Sequence, residues 1–209
     1  EKLKQQLSLN LLQQQVNPHF LYNTLDNICA LAELDEKETL IQLVMNLSSF
    51  YRSSLSNGKM HISIGQELEI SRAYLEILQI RYFHKFDFTI TCPEALKNYS
   101  CIKLLLQPIL ENSIYHGIKG LDRHGILHIE AEDAGDCIRF TISDNGRGFS
   151  KEDYEKIWQQ DADHFGIKSI QQRILLYYGP GYGLSMESPQ TGGCITVITL
   201  PKQEGLPCH

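Results

Sequence analysis

Basic clusters are what this chain most conspicuously lacks. Its 209 residues hold 19 lysines and arginines against 25 aspartates and glutamates, and the net charge of −6 leaves no dense run of cations. A nucleic-acid surface needs such a run, so no nucleic-acid partner is expected. Long apolar runs are missing as well: none approaches the roughly 20 residues that cross a bilayer, and no signal peptide is legible, so the sequence as given reads as soluble. The six cysteines, Cys29, Cys92, Cys101, Cys137, Cys194 and Cys208, form no Cys-x-x-Cys pair and sit mostly among apolar residues. That argues against zinc and disulfides and for reduced, buried thiols of a cytosolic protein. Internal repeats and low-complexity tracts are absent too. A hydrophobic share of 42% suffices for a small helical module beside a core of moderate size, and two units are expected.

What is present begins with helical periodicity. Leu3, Leu7, Leu11, Leu12, Val16, Phe20, Leu21, Leu25, Ile28 and Leu31 recur at helical spacing among Gln, Asn and Lys. Pro18 should bend this helix just before His19, because proline removes a ladder hydrogen bond and crowds the preceding turn. Asp35-Glu36-Lys37-Glu38 has the form of a capping box, and Leu40, Leu43, Val44, Leu47, Phe50 and Tyr51 continue a second, antiparallel helix. Two such helices cannot cover their own apolar stripes, so a homodimer built as a four-helix bundle is expected. Ser56-Asn57-Gly58 marks a turn, and residues 65–82 read as another helix. Beyond it, strands are expected at 86–91, 126–132, 138–143, 184–186 and 195–200, with helices at about 102–117 and 167–177. The mixture predicts an α+β sandwich with helices on one face of a sheet.

Polar residues interrupt the apolar pattern in four places. Asn17-Pro18-His19-Phe20-Leu21-Tyr22-Asn23-Thr24-Leu25 sets a lone histidine on a helix-patterned surface; alone, it reads as a core histidine. Leu106-Gln107-Pro108-Ile109-Leu110-Glu111-Asn112-Ser113-Ile114-Tyr115-His116-Gly117 gathers Glu111, Asn112, Tyr115 and His116 on one helical face. An asparagine oxygen suits Mg²⁺, a hard cation that takes few protein ligands beside substrate phosphates, although a buried asparagine satisfied by backbone is an equal alternative. Asp144-Asn145-Gly146-Arg147-Gly148-Phe149 leaves an alternating strand for a glycine-rich turn. There an aspartate can accept from an adenine amino group while glycines admit the nucleotide closely. In His164-Phe165-Gly166-Ile167-Lys168-Ser169-Ile170 a glycine opens a helix whose first amides can receive phosphate oxygens.

Taken in order, these segments resemble the cytoplasmic core of sensor histidine kinases of the LytS/YesM type. In that family a histidine in an N-P-H-F-[LF]-[FY]-N-T-L segment is phosphorylated by a neighbouring ATP-binding domain of the gyrase/Hsp90/histidine-kinase/MutL fold. The likeness covers nearly the full chain, because Leu47-Ser48, Arg52, Glu67-Leu68, Tyr74-Leu75 and Arg81 also resemble family positions. It implies an α+β protein with a dimerising helical hairpin over 1–58 and an ATP-binding α/β sandwich over 59–209. It further implies that His19 is the phospho-acceptor, Asn112 the Mg²⁺ ligand and Asp144 the adenine contact. By the same resemblance Gly146 and Gly148 are expected to shape the pocket, Gly166 to belong to the phosphate-side glycine motif, and Tyr115 and His116 to lie beside the nucleotide, a helix-end histidine near Gly117 being the plainer alternative for His116. The chain departs from the pattern in places. A G-x-G-L motif carries His164 and Ile167 instead, Tyr115 stands where lysine is common, Cys194 follows Gly193 in place of threonine, and Phe20 replaces the acid that often follows the histidine.

Phosphoryl transfer asks for in-line geometry and neutralised phosphate charge, so ATP and Mg²⁺ are the expected cofactors. A histidine near its usual pKa of about 6.5 is largely neutral at cytosolic pH and can attack through one ring nitrogen. Asn23, one turn after His19, is expected to fix its tautomer or orientation. Glu111 is expected to act as acid/base partner, a structural ion pair being the plainer alternative. The labile phosphohistidine suits a relay, and the resemblance implies a response regulator as partner; Leu21, Leu25 and Ile28 near His19 can form part of its docking surface, core packing being the plainer job for most of them. Two other functions stay open: a serine kinase of the same ATP-binding fold, which would not need the 17–25 segment, and a degenerate nucleotide-binding dimeric scaffold, suggested by His164 and Tyr115. Because the first helix starts without a cap, it is expected to continue upstream into a membrane-anchored sensor, with this portion in the cytoplasm.

Overall fold

The computed structural model describes residues 18–54, 60–158 and 165–204. The expected helix before residue 18, the bend it would make at Pro18, the Ser56-Asn57-Gly58 turn, His164 and Cys208 lie outside the described residues. Helix α1 (Pro18–Glu33) and helix α2 (Lys37–Ser54) form the expected hairpin. The turn between them differs from the expected capping box. Asp35 takes a left-handed conformation (φ 57°), the helix opens at Lys37, and the Asp35 carboxylate lies 3.9 Å from Lys37 Nζ.

A capping box does open α3 (Ile64–Arg81), where the Ser63 hydroxyl accepts from the Gln66 amide and Gln66 Oε1 accepts from the Ser63 amide, each at 3.1 Å. This helix is buried on several sides through Ile64, Leu68, Ile70, Tyr74, Leu75, Ile77 and Leu78. Burial all round is what a helix between two layers requires. One core runs unbroken from Phe20, Leu43 and Phe50 of the hairpin, through α3, to Phe140 and Leu200 of the sheet.

Short strands β1 (His61–Ser63) and β3 (Ser100–Ile102) pair antiparallel. The main sheet contains β2 (Phe86–Thr91), β4 (Gly125–Asp133), β5 (Cys137–Asp144), β6 (Gly183–Glu187) and β7 (Cys194–Pro201) in the order β2-β4-β5-β7-β6. Only β2 and β4 run parallel; the other pairs are antiparallel. Leu127, Ile129 and Ala131 on β4 and Ile138, Phe140 and Ile142 on β5 alternate with more exposed neighbours, so one face is buried and the other meets solvent. The buried face carries α3, α4 (Gln107–Asn112) with the π turn that follows it, and α6 (Phe165–Tyr178), while α5 (Lys151–Trp158) lies beside the cleft. The α+β sandwich is as the sequence predicts.

The helix expected at 102–117 begins only at Gln107, because the residues before it are bound elsewhere. Residues 100–102 belong to β3, and both oxygens of Glu67 accept backbone amides, from Leu104 and from Leu106, at 2.9 Å each. Leu104 is held at φ 54°, and Pro108 in the first turn cannot donate a ladder bond to an upstream carbonyl. Arg173 of α6 donates to the carbonyls of Leu104 (3.2 Å) and Lys103. Glu67 and Arg173 are both buried. The thiols are a partial correction to the sequence reading: Cys101 and Cys194 are buried, but Cys29 is exposed, since it falls on the outer side of α1.

Candidate active site

The segment after α4 does not continue as an α-helix. Ser113–Ile118 widens into a π turn, and such turns re-aim side chains where function needs them. Asn112, Ser113, His116 and Gly117 thereby form one wall of a cleft, the Asp144 cleft, whose other walls include Asp144, Gly148, Phe149 and Ile157. A second cleft, the Tyr115 cleft, adjoins it, walled by Pro108, Glu111, Asn112, Tyr115, His116, Gly166 and Ile167. Asn112 and His116 are the residues the two share.

Asp144 closes β5, where its register partners are Leu127 and Cys194. Its Oδ1 accepts the Gly146 amide at 2.8 Å, whereas its Oδ2 is buried without a hydrogen-bond partner. Burial raises the carboxyl's pKa, opposed by the Ser113 hydroxyl and the amides of Gly146 and Cys194. The glycine turn is sterically fixed. A Cβ on Gly146 would stand 2.6 Å from Gly117 Cα, and Gly148 adopts φ 71° with Ser188 Oγ only 2.3 Å from where its Cβ would be. The turn is also tied to the π turn, since the Arg147 amide donates to the Gly117 carbonyl at 3.1 Å.

The sequence-derived residues thus divide into three groups. Asn112, His116, Asp144 and Gly148 meet in the Asp144 cleft, with Gly146 behind Asp144; Glu111, Tyr115 and Gly166 meet in the Tyr115 cleft, with Asn112 and His116 between. His19 and Asn23 stand apart on the exposed side of α1 and wall neither cleft. Asn23 Nδ2 lies 3.2 Å from His19 Nδ1 and 3.1 Å from Nε2, so it touches the ring without favouring one tautomer. The neighbouring Phe20 points the other way, into an aromatic nest with Phe50 and Tyr74 at ring separations of 5.3 and 5.0 Å.

Glu111 is already engaged: its Oε1 accepts Gln107 Nε2 at 3.0 Å, and burial first, then the Glu111 charge, push the Tyr74 hydroxyl well above its usual pKa. Tyr115 receives Arg81 Nη1 at 3.2 Å and meets Tyr82 edge-on at 6.2 Å. Sequence reasoning missed Ser113, Asp153 and Ile157 as cleft residues. The π turn that aims Ser113 has no composition of its own, and α5 is a helix of only eight residues, mostly polar, that carries Asp153 and Ile157.

Comparisons with known proteins agree with this arrangement. Residues 7–86 match the family model described as histidine kinase, and residues 99–204 match the one described as histidine kinase-, DNA gyrase B-, and HSP90-like ATPase. Sensor histidine kinase YesM of Bacillus subtilis (strain 168) is 34% identical over 193 residues, which cover 92% of this chain and 33% of that protein. The chain therefore spans about a third of the length of such relatives. Among solved structures, the histidine kinase domain of the blue-light activated histidine kinase EL346 from Erythrobacter litoralis aligns with a TM-score of 0.51 at 16% identity, covering 95% of this chain and 96% of that one. Histidine kinase ThkA, solved in complex with response regulator protein TrrA, aligns with a TM-score of 0.52 at 16% identity, covering 96% and 64%. At such identity these two structures speak for the fold. With both family models met in this order along the sequence, the chain belongs to the histidine kinase-, DNA gyrase B- and HSP90-like ATPases and, among them, to the sensor histidine kinases of the LytS/YesM type.

Proposed function

We propose that this chain is the kinase core of a two-component sensor, which uses Mg-ATP to phosphorylate His19 and passes the phosphoryl group to an aspartate of a response regulator. The observation that carries this reading is Oδ2 of Asp144, a buried acceptor without a hydrogen-bond partner on a residue that walls the Asp144 cleft. An adenine amino group fits it, because a buried carboxylate oxygen gains most from a donor that water cannot supply. With adenine at Asp144, the triphosphate crosses Asn112 and His116 toward Tyr115 and Gly166. The shared wall offers hard oxygen donors suited to Mg²⁺, the Asn112 amide above all, with the Glu111 carboxylate beside it. When bound there, the ion neutralises phosphate charge.

His19 then attacks in line through the lone pair of one ring nitrogen. The N–P bond forms as the bond from Pγ to its bridging oxygen breaks, and that electron pair leaves with ADP. The proton on the other ring nitrogen is released, with Glu111 as its proposed acceptor and Asn23 as the group holding the ring. Gly146 and Gly148 keep the turn low enough for the nucleotide to approach. The exposed apolar side chains of the hairpin, Tyr22, Leu25, Ile41, Val44 and Met45, support a homodimer packed through this face. A division near residue 58 separates hairpin from ATP-binding part, although the first family match runs on to residue 86 and includes α3. The greater length of the relatives supports a membrane-anchored whole whose cytoplasmic portion this is.

Incubation with labelled Mg-ATP tests the reading. The label is expected to survive alkali, to be lost in acid, and to be absent from His19→Gln. Acid-stable label would mean serine chemistry. A second reading, a nucleotide-binding scaffold without transfer, is favoured by the lack of lysine or arginine among the described residues that wall the Tyr115 cleft. Binding of ATP without labelling would establish it.

A further inference from the structure

The Tyr115 cleft poses an electrostatic problem. Among the described residues its wall contains the Glu111 carboxylate and no lysine or arginine, yet in the reading above it receives the most highly charged end of a nucleotide. A cation stands just behind it. Arg81, the last residue of α3, donates from Nη1 to the Tyr115 hydroxyl at 3.2 Å, and its guanidinium carbon lies 5.4 Å from the Tyr82 ring centre. The hydroxyl of Tyr82 is buried without a hydrogen-bond partner. Lys119 lies 5.9 Å from the Tyr115 ring and 5.8 Å from that of Tyr82. Among the described residues no carboxylate pairs with Arg81 or Lys119. Two cations therefore converge on a tyrosine that forms the cleft wall.

Resting on the ATP-binding reading, we propose that Arg81 is the cation of the phosphate end of this site, delivered by Tyr115 and directed at the terminal phosphate of the bound triphosphate. Three features support the assignment. The two clefts share only Asn112 and His116, so the wall that holds Tyr115 and Gly166 lies on the far side from Asp144 and takes the outer phosphates. A guanidinium has five donors, and one bond to a phenol leaves others for phosphate oxygens, a pairing favoured by charge and planar geometry. The tyrosine also replaces a flexible cation by a preset one: Tyr82 and Tyr115 fix the guanidinium from two sides, and a site ordered in advance loses less entropy on binding. Arg81 also ends the helix that carries Tyr74, a partner of Phe20, so the charge is set on an element continuous with the acceptor hairpin.

Titration calorimetry of the whole chain with Mg-ATP and with Mg-ADP tests this. Arg81→Gln is expected to weaken ATP binding about tenfold, the loss of one charge-assisted contact, while ADP binding changes less than about twofold. Tyr115→Phe, which keeps the ring and removes the anchor, should give a smaller loss of the same ATP-selective kind. Tyr115→Lys placed on Arg81→Gln should restore ATP affinity, because it puts a charge directly into the wall. Equal losses for ATP and ADP, or none, would overturn the assignment. So would an ATP-selective loss in Lys119→Gln or Lys168→Gln with Arg81→Gln unaffected. Thermal melting of each variant separates lost folding from lost contact, and Arg81→Lys, which keeps the charge, provides a second arm if Arg81→Gln does not fold. A wild-type chain that binds neither nucleotide would instead sink the ATP reading on which the proposal rests.

Discussion

In the proposed site, Asp144 couples binding to stability through one oxygen. Its Oδ2 is buried without a partner and burial raises its pKa, so the fold disfavours the ionised carboxylate relative to the unfolded chain. As pH rises from below the usual aspartate value, the unfolded chain ionises first and the fold loses stability until the folded group ionises too. Asp144→Asn removes that charge. The variant is therefore expected to melt a few degrees higher than wild type at pH 7, roughly 2–4 °C, with the difference vanishing toward pH 4. Its ATP affinity should fall about tenfold, because a charge-assisted acceptor becomes a neutral one. Melting curves across that pH range, with calorimetry alongside, check both halves; a gain independent of pH would refute the electrostatic account. Gly146 makes a steric counterpart: a Cβ there meets the backbone of Gly117 at 2.6 Å, so Gly146→Ala should push the two walls apart and abolish nucleotide binding.

At the scale of elements, the loop before α4 is held by charges that the sequence hid. Glu67 and Arg173 are each buried, one on α3 and one on α6, and both grip residues 103–106. Replacing Glu67 by glutamine leaves an amide without its acceptor and Arg173 without its counter-charge, and should cost about 3–5 kcal/mol in urea unfolding. Adding Arg173→Met should cost less than the sum of the two single changes, since the second removes a charge the first had already stranded. Much of the fold was legible because β4, β5 and β7 alternate and α6 keeps a helical pattern between turn signals. The strands of three residues, β1 and β3, are too short to alternate. The π turn differs from an α-helix by its hydrogen-bond spacing alone, which no residue type announces. The individual cleft residues were legible as motifs, but Glu67 and Arg81 stood out in the sequence only as positions resembling the family and Arg173 not at all, because only packing reveals what a charge on a helix faces.

For the whole molecule, the hairpin has two working surfaces. One carries Phe20, Leu43 and Phe50 into the common core; the other leaves Ile41, Val44 and Met45 exposed at 56%, 42% and 66%. Ile41→Lys with Met45→Glu is expected to convert a dimer to a monomer in sedimentation, with ATP affinity unchanged within about twofold because neither residue lies near the clefts. A wild-type chain that sediments as a monomer would remove the dimer from the proposal. His19 and Phe20 are adjacent on one rigid helix, the first exposed and the second 2% exposed in its nest. A rotation of α1 that swings the histidine also withdraws that ring, and exposing a buried phenylalanine costs about 2 kcal/mol, a population ratio of roughly thirtyfold. Any rotation of α1 about its axis therefore has to supply at least the burial energy of one phenyl ring.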